Sequence, residues 1–445
     1  MKWVIALGLR PAMKPIAATS MAALLLLASC ATQKPFIGMQ NLQAPQATVA
    51  NSPFLERLLQ DNRALLGPVI QNPDKYHLQI IYTQINRTER QQPQFTHHYY
   101  RLNREYFYPA STVKLPAAVL ALEKLNALNI PGLTRHSTLL MDSIVPPEPP
   151  AYNDPTSDSG KPSIAHYIKK ILLVSDNDAF NRLYAFLGQE AFNQRLQALG
   201  FAGAEIIHKL ELPLTTEQNR LGNPYRLLDT AGTTLYQQPA TYSRWQYEER
   251  SEKLGNGYMK NGQLVNTPMD FSRKNRWTLA HQHQFLQWLI FPQTQNRQQR
   301  LNLTEADYMF LYAYMSMMPH ESRYPWYNRQ EYWPTYVKFL LYGSEQQVTP
   351  PPNLRIFNKV GDAYGFLIDA AYVADFDKDI EFMLSAVVYC NEDGILNDNR
   401  YEYESIGLPF LKNLGQLIYK YEMQRPKAVK PDFSLLKSAL AHKTE

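Results

Sequence analysis

The sequence predicts a mixed α/β (α+β) fold: one antiparallel sheet of about five strands flanked by terminal helices, plus an all-helical lobe. Three observations predict it. Strand-like alternation occurs towards both ends, at about 77–102 and 354–390, and the middle of the chain is helical in period. The turns between the C-terminal strands are short and polar, and such turns join antiparallel neighbours. The simplest closure lays the N-terminal hairpin beside the C-terminal strands, with an active site at the seam between sheet and helical lobe.

Composition bounds the function. The 445 residues are 45% hydrophobic and 12% aromatic, so a core of ordinary size can form. Basic residues number 45 and acidic ones 40, evenly spread, which excludes a nucleic-acid footprint. Two cysteines, Cys30 and Cys390, exclude a disulfide framework.

The elements follow in order. Residues 1–29 join a start carrying Lys2, Arg10 and Lys14 to the apolar run 21–28, too short to span a membrane. This reads as a secretory signal. Leu27-Ala28-Ser29-Cys30 resembles the bacterial lipoprotein box, which implies cleavage before Cys30 and lipid on its sulfur. The expected location is the cell envelope, facing the periplasm. Ala31 after Cys30 favours the outer membrane. Cys390 lies in an apolar run and reads as a buried, inert thiol.

Residues 30–51 are polar and read as a tether. Ser52-Pro53 offers a cap and a first-turn proline for a helix over about 53–66. Strands at about 77–86 and 95–102 flank a polar turn. Helices are expected at about 111–126, 163–173, 177–187 and 189–199, with a proline-rich loop at 146–162. Residues 213–276, rich in Tyr, Gln, Asn and Gly, read as an insertion in a helical lobe of about 111–345. Helices at 277–290 and 304–318 precede a loop at 319–352. Strands at 354–359, 364–374 and 380–390 follow, turning at Gly361-Asp362 and at 375–379. A helix over about 409–422 closes a domain of 53–422, and 423–445 is a basic, mobile tail.

Three short motifs carry chemistry. Ser111-Thr-Val-Lys114 opens a helix, and a spacing of three puts hydroxyl and amine on one face. A serine is a poor nucleophile until a base takes its proton, and a lysine serves when burial lowers its pKa. Ser175-Asp176-Asn177 lies between two helices, where such residues also cap. Lys359-Val360-Gly361 ends a strand.

Together, in this order, the motifs resemble the S-x-x-K, S-D-N and K-T-G set of the serine β-lactamases and penicillin-binding proteins. The wider strings Tyr108-Pro-Ala-Ser111, Val174-Ser-Asp-Asn and Lys359-Val-Gly-Asp-Ala-Tyr-Gly365 look most like the class A β-lactamase-like serine hydrolases. The resemblance implies roles. Ser111 is the acyl-accepting nucleophile and Lys114 its base or proton relay. Ser175 passes a proton to the leaving group, and Asn177 holds the substrate's side-chain amide. Lys359 supplies positive charge to a substrate carboxylate, with Val360 and Gly361 beside it. The backbone N–H groups of Ser111 and Asp362 form the oxyanion hole. Neither cofactor nor metal is implied; the partners are a small-molecule or peptide acyl substrate and, through the lipid, a membrane.

Two departures matter. Val360 replaces the hydroxylic residue that helps bind a β-lactam carboxylate. The loop glutamate that activates the hydrolytic water has no clean counterpart: Glu211 is the nearest candidate, Glu217 a poorer second, and no Leu-Asn follows Glu211. His281 and His283, two apart, make a poor metal pair. Three readings follow in order. The first is a lipid-anchored serine hydrolase acting on a cell-wall peptide or β-lactam type bond. The second is a true class A β-lactamase, and the third is a binding lipoprotein that has lost catalysis.

Overall fold

The computed structural model describes residues 48–441. The signal, Cys30 and most of the tether lie outside the described residues. Five strands form one antiparallel sheet in the spatial order Leu354–Ala363, Phe366–Asp375, Ile380–Tyr389, Gln79–Arg87, Pro93–Tyr100. The N-terminal hairpin joins the C-terminal strands through Gln79–Gln84, with Ile81 opposite Ser385. Phe366–Asp375 and Ile380–Tyr389 are buried along their whole length, which explains why they read as continuous apolar runs.

One face of the sheet is covered by the terminal helices. Leu55 and Leu59 of Pro53–Asp61, and Phe410, Leu414 and Ile418 of Leu408–Gln424, pack on Ile80, Tyr82, Val360, Ala371 and Leu384. On the other face, Phe285, Leu286 and Leu289 of the helix Leu279–Ile290 join a larger core shared with the helical lobe. His283 of this helix is a bonded core group: it meets Thr83 Oγ1 and Ser385 Oγ, both at 2.8 Å.

The helix Lys114–Leu128 is buried nearly all round, as an apolar helix at the centre of a lobe must be. Ile164–Val174 and Asn177–Leu187 pack on it, and Glu305–Ser316 packs on Ile164–Val174. The lobe is not purely helical. Thr138–Met141, Tyr225–Leu228 and Thr234–Gln238 form a three-stranded sheet within it. These strands have four or five residues, too few for a period-two pattern to stand out.

Two further expectations need correction. The lysine-bearing strand does not stop at 359 but pairs through to Ala363 opposite Phe366. The chain turns instead at Tyr364 (φ 52°) and Gly365 (φ 84°), two positive φ values that match the right-handed twist of a tight hairpin. Residues 213–276, expected as an insertion or elaborated loop, carry a series of short strand pairs. The basic tail is not loose over its described part. Ser434–Ala441 is a helix with Leu436 and Ala439 buried, and Phe433 packs against Phe376 with ring centres 5.0 Å apart.

Candidate active site

Ser111 sits in a single 3₁₀ turn, Ala110–Val113, that runs directly into the helix Lys114–Leu128. Ala110 is held at φ 48°, a conformation that costs a non-glycine residue roughly 1–3 kcal/mol and persists only where the surroundings impose it. The turn is pressed against the lysine-bearing strand. A Cβ on Gly361 would stand 3.0 Å from both Pro109 O and Ser111 N, and 3.1 Å from Thr112 Cγ2. Gly361 is therefore a close-approach glycine, not the turn glycine its sequence setting suggests.

Ser175 and Asp176 link two helices. Ser175 closes Ile164–Val174 in the left-handed region (φ 62°, ψ 36°), and the Asp176 carboxylate caps the next helix by accepting from Ala179 N at 2.7 Å. This kink aims Ser175 and Asn177 at Lys114. The Lys114 ammonium donates to Ser175 O, to Ser175 Oγ at 3.3 Å and to Asn177 Oδ1 at 2.5 Å. From the sheet, Lys359 Nζ donates to the same Ser175 Oγ at 2.9 Å and to Val360 O at 2.8 Å. The three motifs thus meet at one hydroxyl. The Ser111 hydroxyl itself has no hydrogen-bond partner among the described residues.

Burial controls the electrostatics. Lys114 is 0% exposed, and desolvation lowers its pKa to about 7 against the opposing pull of Asp362, Asp176 and Glu211. Lys359 is pushed well below the ordinary lysine value, first by burial and then by Lys114. The Asp362 side chain faces cleft solvent, yet enough protein rings it that desolvation raises its carboxyl pKa, opposed by Lys114 and Lys359.

A cavity of about 510 Å³ opens beside the serine. Ser111, Asn177, Glu211 and Asp362 line it, with an aromatic and amide wall that includes Tyr364, Asn397 and Tyr401. Glu211 is exposed at φ 56°. The preceding residue is clamped: Leu210 N donates to Asn181 Oδ1 at 2.8 Å, and Asn181 Nδ2 donates to Leu210 O at 2.9 Å. Lys209 anchors the same loop on buried Glu148. Glu217, by contrast, bonds the Tyr242 hydroxyl at 2.7 Å outside this cavity. Val360, 2% exposed, belongs to the apolar cluster under the terminal helices and presents no side chain to the cleft.

A sequence profile described as the beta-lactamase enzyme family matches residues 79–303, half of the chain. The chain belongs to this beta-lactamase enzyme family. The matched segment holds Ser111, Lys114, Ser175, Asn177 and Glu211 and ends before Lys359. No curated protein sequence matches the chain. Among solved structures, a β-lactamase from Sphaerobacter thermophilus is 10% identical, covering 83% of this chain and 99% of that one (TM-score 0.44). One from Burkholderia phymatum is 12% identical, covering 83% and 100% (0.43). A class A β-lactamase from Clostridium kluyveri is 15% identical, covering 81% and 99% (0.41).

Sequence reasoning missed several groups around this β-lactamase-family site. Residues of the segment 213–276 prop its wall: Phe271 packs on Tyr108 and Tyr364 with ring centres 5.9 and 5.1 Å apart. Gly257-Tyr258 pair in parallel with Ile395-Leu396, next to cavity-lining Asn397. Behind Lys359 lies a buried polar network. Lys338 Nζ donates to Asn358 Oδ1 at 2.6 Å, and Asn358 Nδ2 to Asp369 Oδ1 at 2.8 Å. An aspartate inside the apolar run Phe366-Leu-Ile-Asp-Ala-Ala was the available signal. No group of three His, Cys, Asp or Glu side chains suited to a metal occurs among the described residues. Cys390 is buried, which pushes its thiol up to about 12.

Proposed function

We propose that the protein is a serine hydrolase that cleaves an amide or ester bond through an acyl-serine at Ser111. The observation that carries this reading is the convergence of Lys114 and Lys359 on the Ser175 hydroxyl, beside an unpartnered Ser111 hydroxyl in an open cavity. Neutral Lys114 takes the Ser111 proton as Oγ bonds to the substrate carbonyl carbon. The carbonyl electron pair moves onto oxygen, which the Ser111 and Asp362 N–H groups stabilise. Collapse breaks the bond to the amine or alcohol, and the proton returns to that leaving group through Ser175, with Lys359 holding the Ser175 hydroxyl. Water then releases the acyl group as a carboxylic acid. Asn177 holds the acyl side chain.

A second reading, a β-lactamase proper, is favoured by one observation: Glu211 lines the cavity with Ser111. A carboxylate there can deprotonate the deacylating water. The sequence further supports export, lipid attachment at Cys30 and a place on the periplasmic face of the envelope, with the outer membrane favoured.

Intact mass of residues 31–445 during incubation with a penicillin and with a reactive ester, beside Ser111→Ala, tests the reading. A stable adduct on the parent alone supports slow deacylation. A transient adduct with substrate consumption supports turnover, and Glu211→Gln then prolongs it if Glu211 is the base. No adduct from either reagent overturns the acyl-serine reading.

A further inference from the structure

Two charged side chains line the Ser111 cavity, Asp362 and Glu211, and both are acidic. Both are exposed, and neither is tied by a hydrogen bond or ion pair to another described residue. They are free to meet a ligand. No lysine or arginine lines the cavity. Lys114 and Lys359 lie beneath it, 0% and 3% exposed, with their N–H groups donated to Ser175, Asn177 and Val360 O. Lys274 reaches the Tyr364 hydroxyl at 3.4 Å but is not part of the lining.

The position of Asp362 makes this more than a surface charge. Gly361, its neighbour, packs on the Ser111 turn, so the carboxylate stands at the strand edge beside the nucleophile. Its charge is felt by Lys114 and Lys359 and by Tyr336 and Tyr403. A substrate carboxylate approaching this edge meets a like charge and, with Val360 turned into the core, no side-chain hydroxyl from that residue.

We infer that the cleft selects acyl substrates bearing a cation, a protonated or quaternary amine, near the scissile carbonyl, and rejects those bearing a carboxylate there. Asp362 is the specificity-determining residue, and Glu211 supplies the second negative charge. The inference rests on the acyl-serine reading above and names its substrate class. It reverses the carboxylate preference that the motif resemblance implies for this strand. Like charges brought together in a partly desolvated site oppose binding, whereas unlike charges favour it and speed encounter.

The test uses three 4-nitrophenyl esters of similar shape: 4-(trimethylammonio)butyrate, 5,5-dimethylhexanoate and the glutarate monoester. Nitrophenolate release and intact mass are followed for the parent, Ser111→Ala, Asp362→Asn and Glu211→Gln. Each productive cycle forms the Ser111 Oγ–acyl bond, breaks the acyl–O bond and expels nitrophenolate. The expected kcat/KM for the cationic ester exceeds that for the anionic one by about tenfold or more. Asp362→Asn shrinks that ratio by most of its value, Glu211→Gln by less, and added salt lowers it in the parent. An anionic ester turned over as fast as the cationic one, or a ratio unmoved by Asp362→Asn, overturns the inference while leaving the hydrolase reading intact. Release from all three esters no faster than in Ser111→Ala, with no adduct, fails the hydrolase reading itself and the inference with it.

Discussion

Lys359 Nζ donates to the Ser175 hydroxyl at 2.9 Å, although the two residues are 184 positions apart and lie on different layers of the fold. Lys114 approaches the same oxygen from the opposite motif at 3.3 Å. Ser175 is therefore the only side chain bonded to both lysines among the described residues. Ser175→Ala removes the hydroxyl but keeps the backbone carbonyl that Lys114 also uses. Acylation by an amide, whose amine leaves only when protonated, is expected to fall by about 10²–10⁴, the usual worth of a positioned proton-transfer group. The melting temperature should fall only modestly: the hydroxyl is part-buried, and its loss leaves Lys359 with Val360 O as its remaining acceptor. Stopped-flow acylation beside thermal unfolding measures both.

Lys114 carries a pH prediction. Its pKa is lowered to about 7 chiefly by burial, and it acts as a base only when neutral. Below pH 7 the ammonium form dominates and cannot accept the Ser111 proton. The acylation rate is expected to rise with pH through about 7 and then level. Lys114→Arg replaces a titrating base by a cation that stays charged and removes the limb along with most of the activity. A pH–rate profile of acylation, measured before deacylation contributes, shows the limb or its absence.

Gly361→Ala tests the close approach of strand and turn. The added methyl stands 3.0 Å from Ser111 N and Pro109 O, both backbone atoms that have no rotamer to yield. The strand must withdraw from the turn, and an N–H donor leaves its place. Loss of one such donor costs about 10²–10³ in rate. The fold is expected to persist, because Leu354–Ala363 lies at the sheet edge and has a neighbour on only one side. The kcat for a small ester should drop more than melting temperature suggests.

The parts of the site that were legible in the sequence are those whose chemistry is local. Ser111, Lys114, Ser175 and Lys359 lie in short strings, and the strand and helix periods around them placed sheet and lobe on either side of a seam. What was not legible depends on contacts between distant segments. Gly361 looks like a turn residue until Pro109 O is found beside it. Val360 looks like a substrate contact until its side chain is found among Ala371 and Leu384. Asn181, four residues after Asn177, shows no special pattern, yet it clamps Leu210 at both N and O. The helix Ser434–Ala441 was hidden because four lysines between 427 and 443 drew attention from the spacing of Phe433, Leu436 and Ala439.

The buried network behind Lys359 provides a stability test. Lys338 is 3% and Asp369 0% exposed; burial drives the lysine pKa down and the aspartate pKa up, while each pulls the other towards its charged form. Lys338 also donates to Met315 O and Ile356 O, both at 2.9 Å, so it ties the helix Glu305–Ser316 to the strand that carries Lys359. Lys338→Met leaves two backbone carbonyls and Asn358 Oδ1 without this donor and Asp369 without its cation. Removing one partner of a buried pair costs about 3–5 kcal/mol. Adding Asp369→Asn removes the uncompensated charge, so the double variant is expected to be less destabilised than the two single losses added together. Urea unfolding of the four proteins at pH 7 measures that coupling. Strict additivity would mean that Lys338 and Asp369 stabilise the sheet edge independently, each through its own backbone partners.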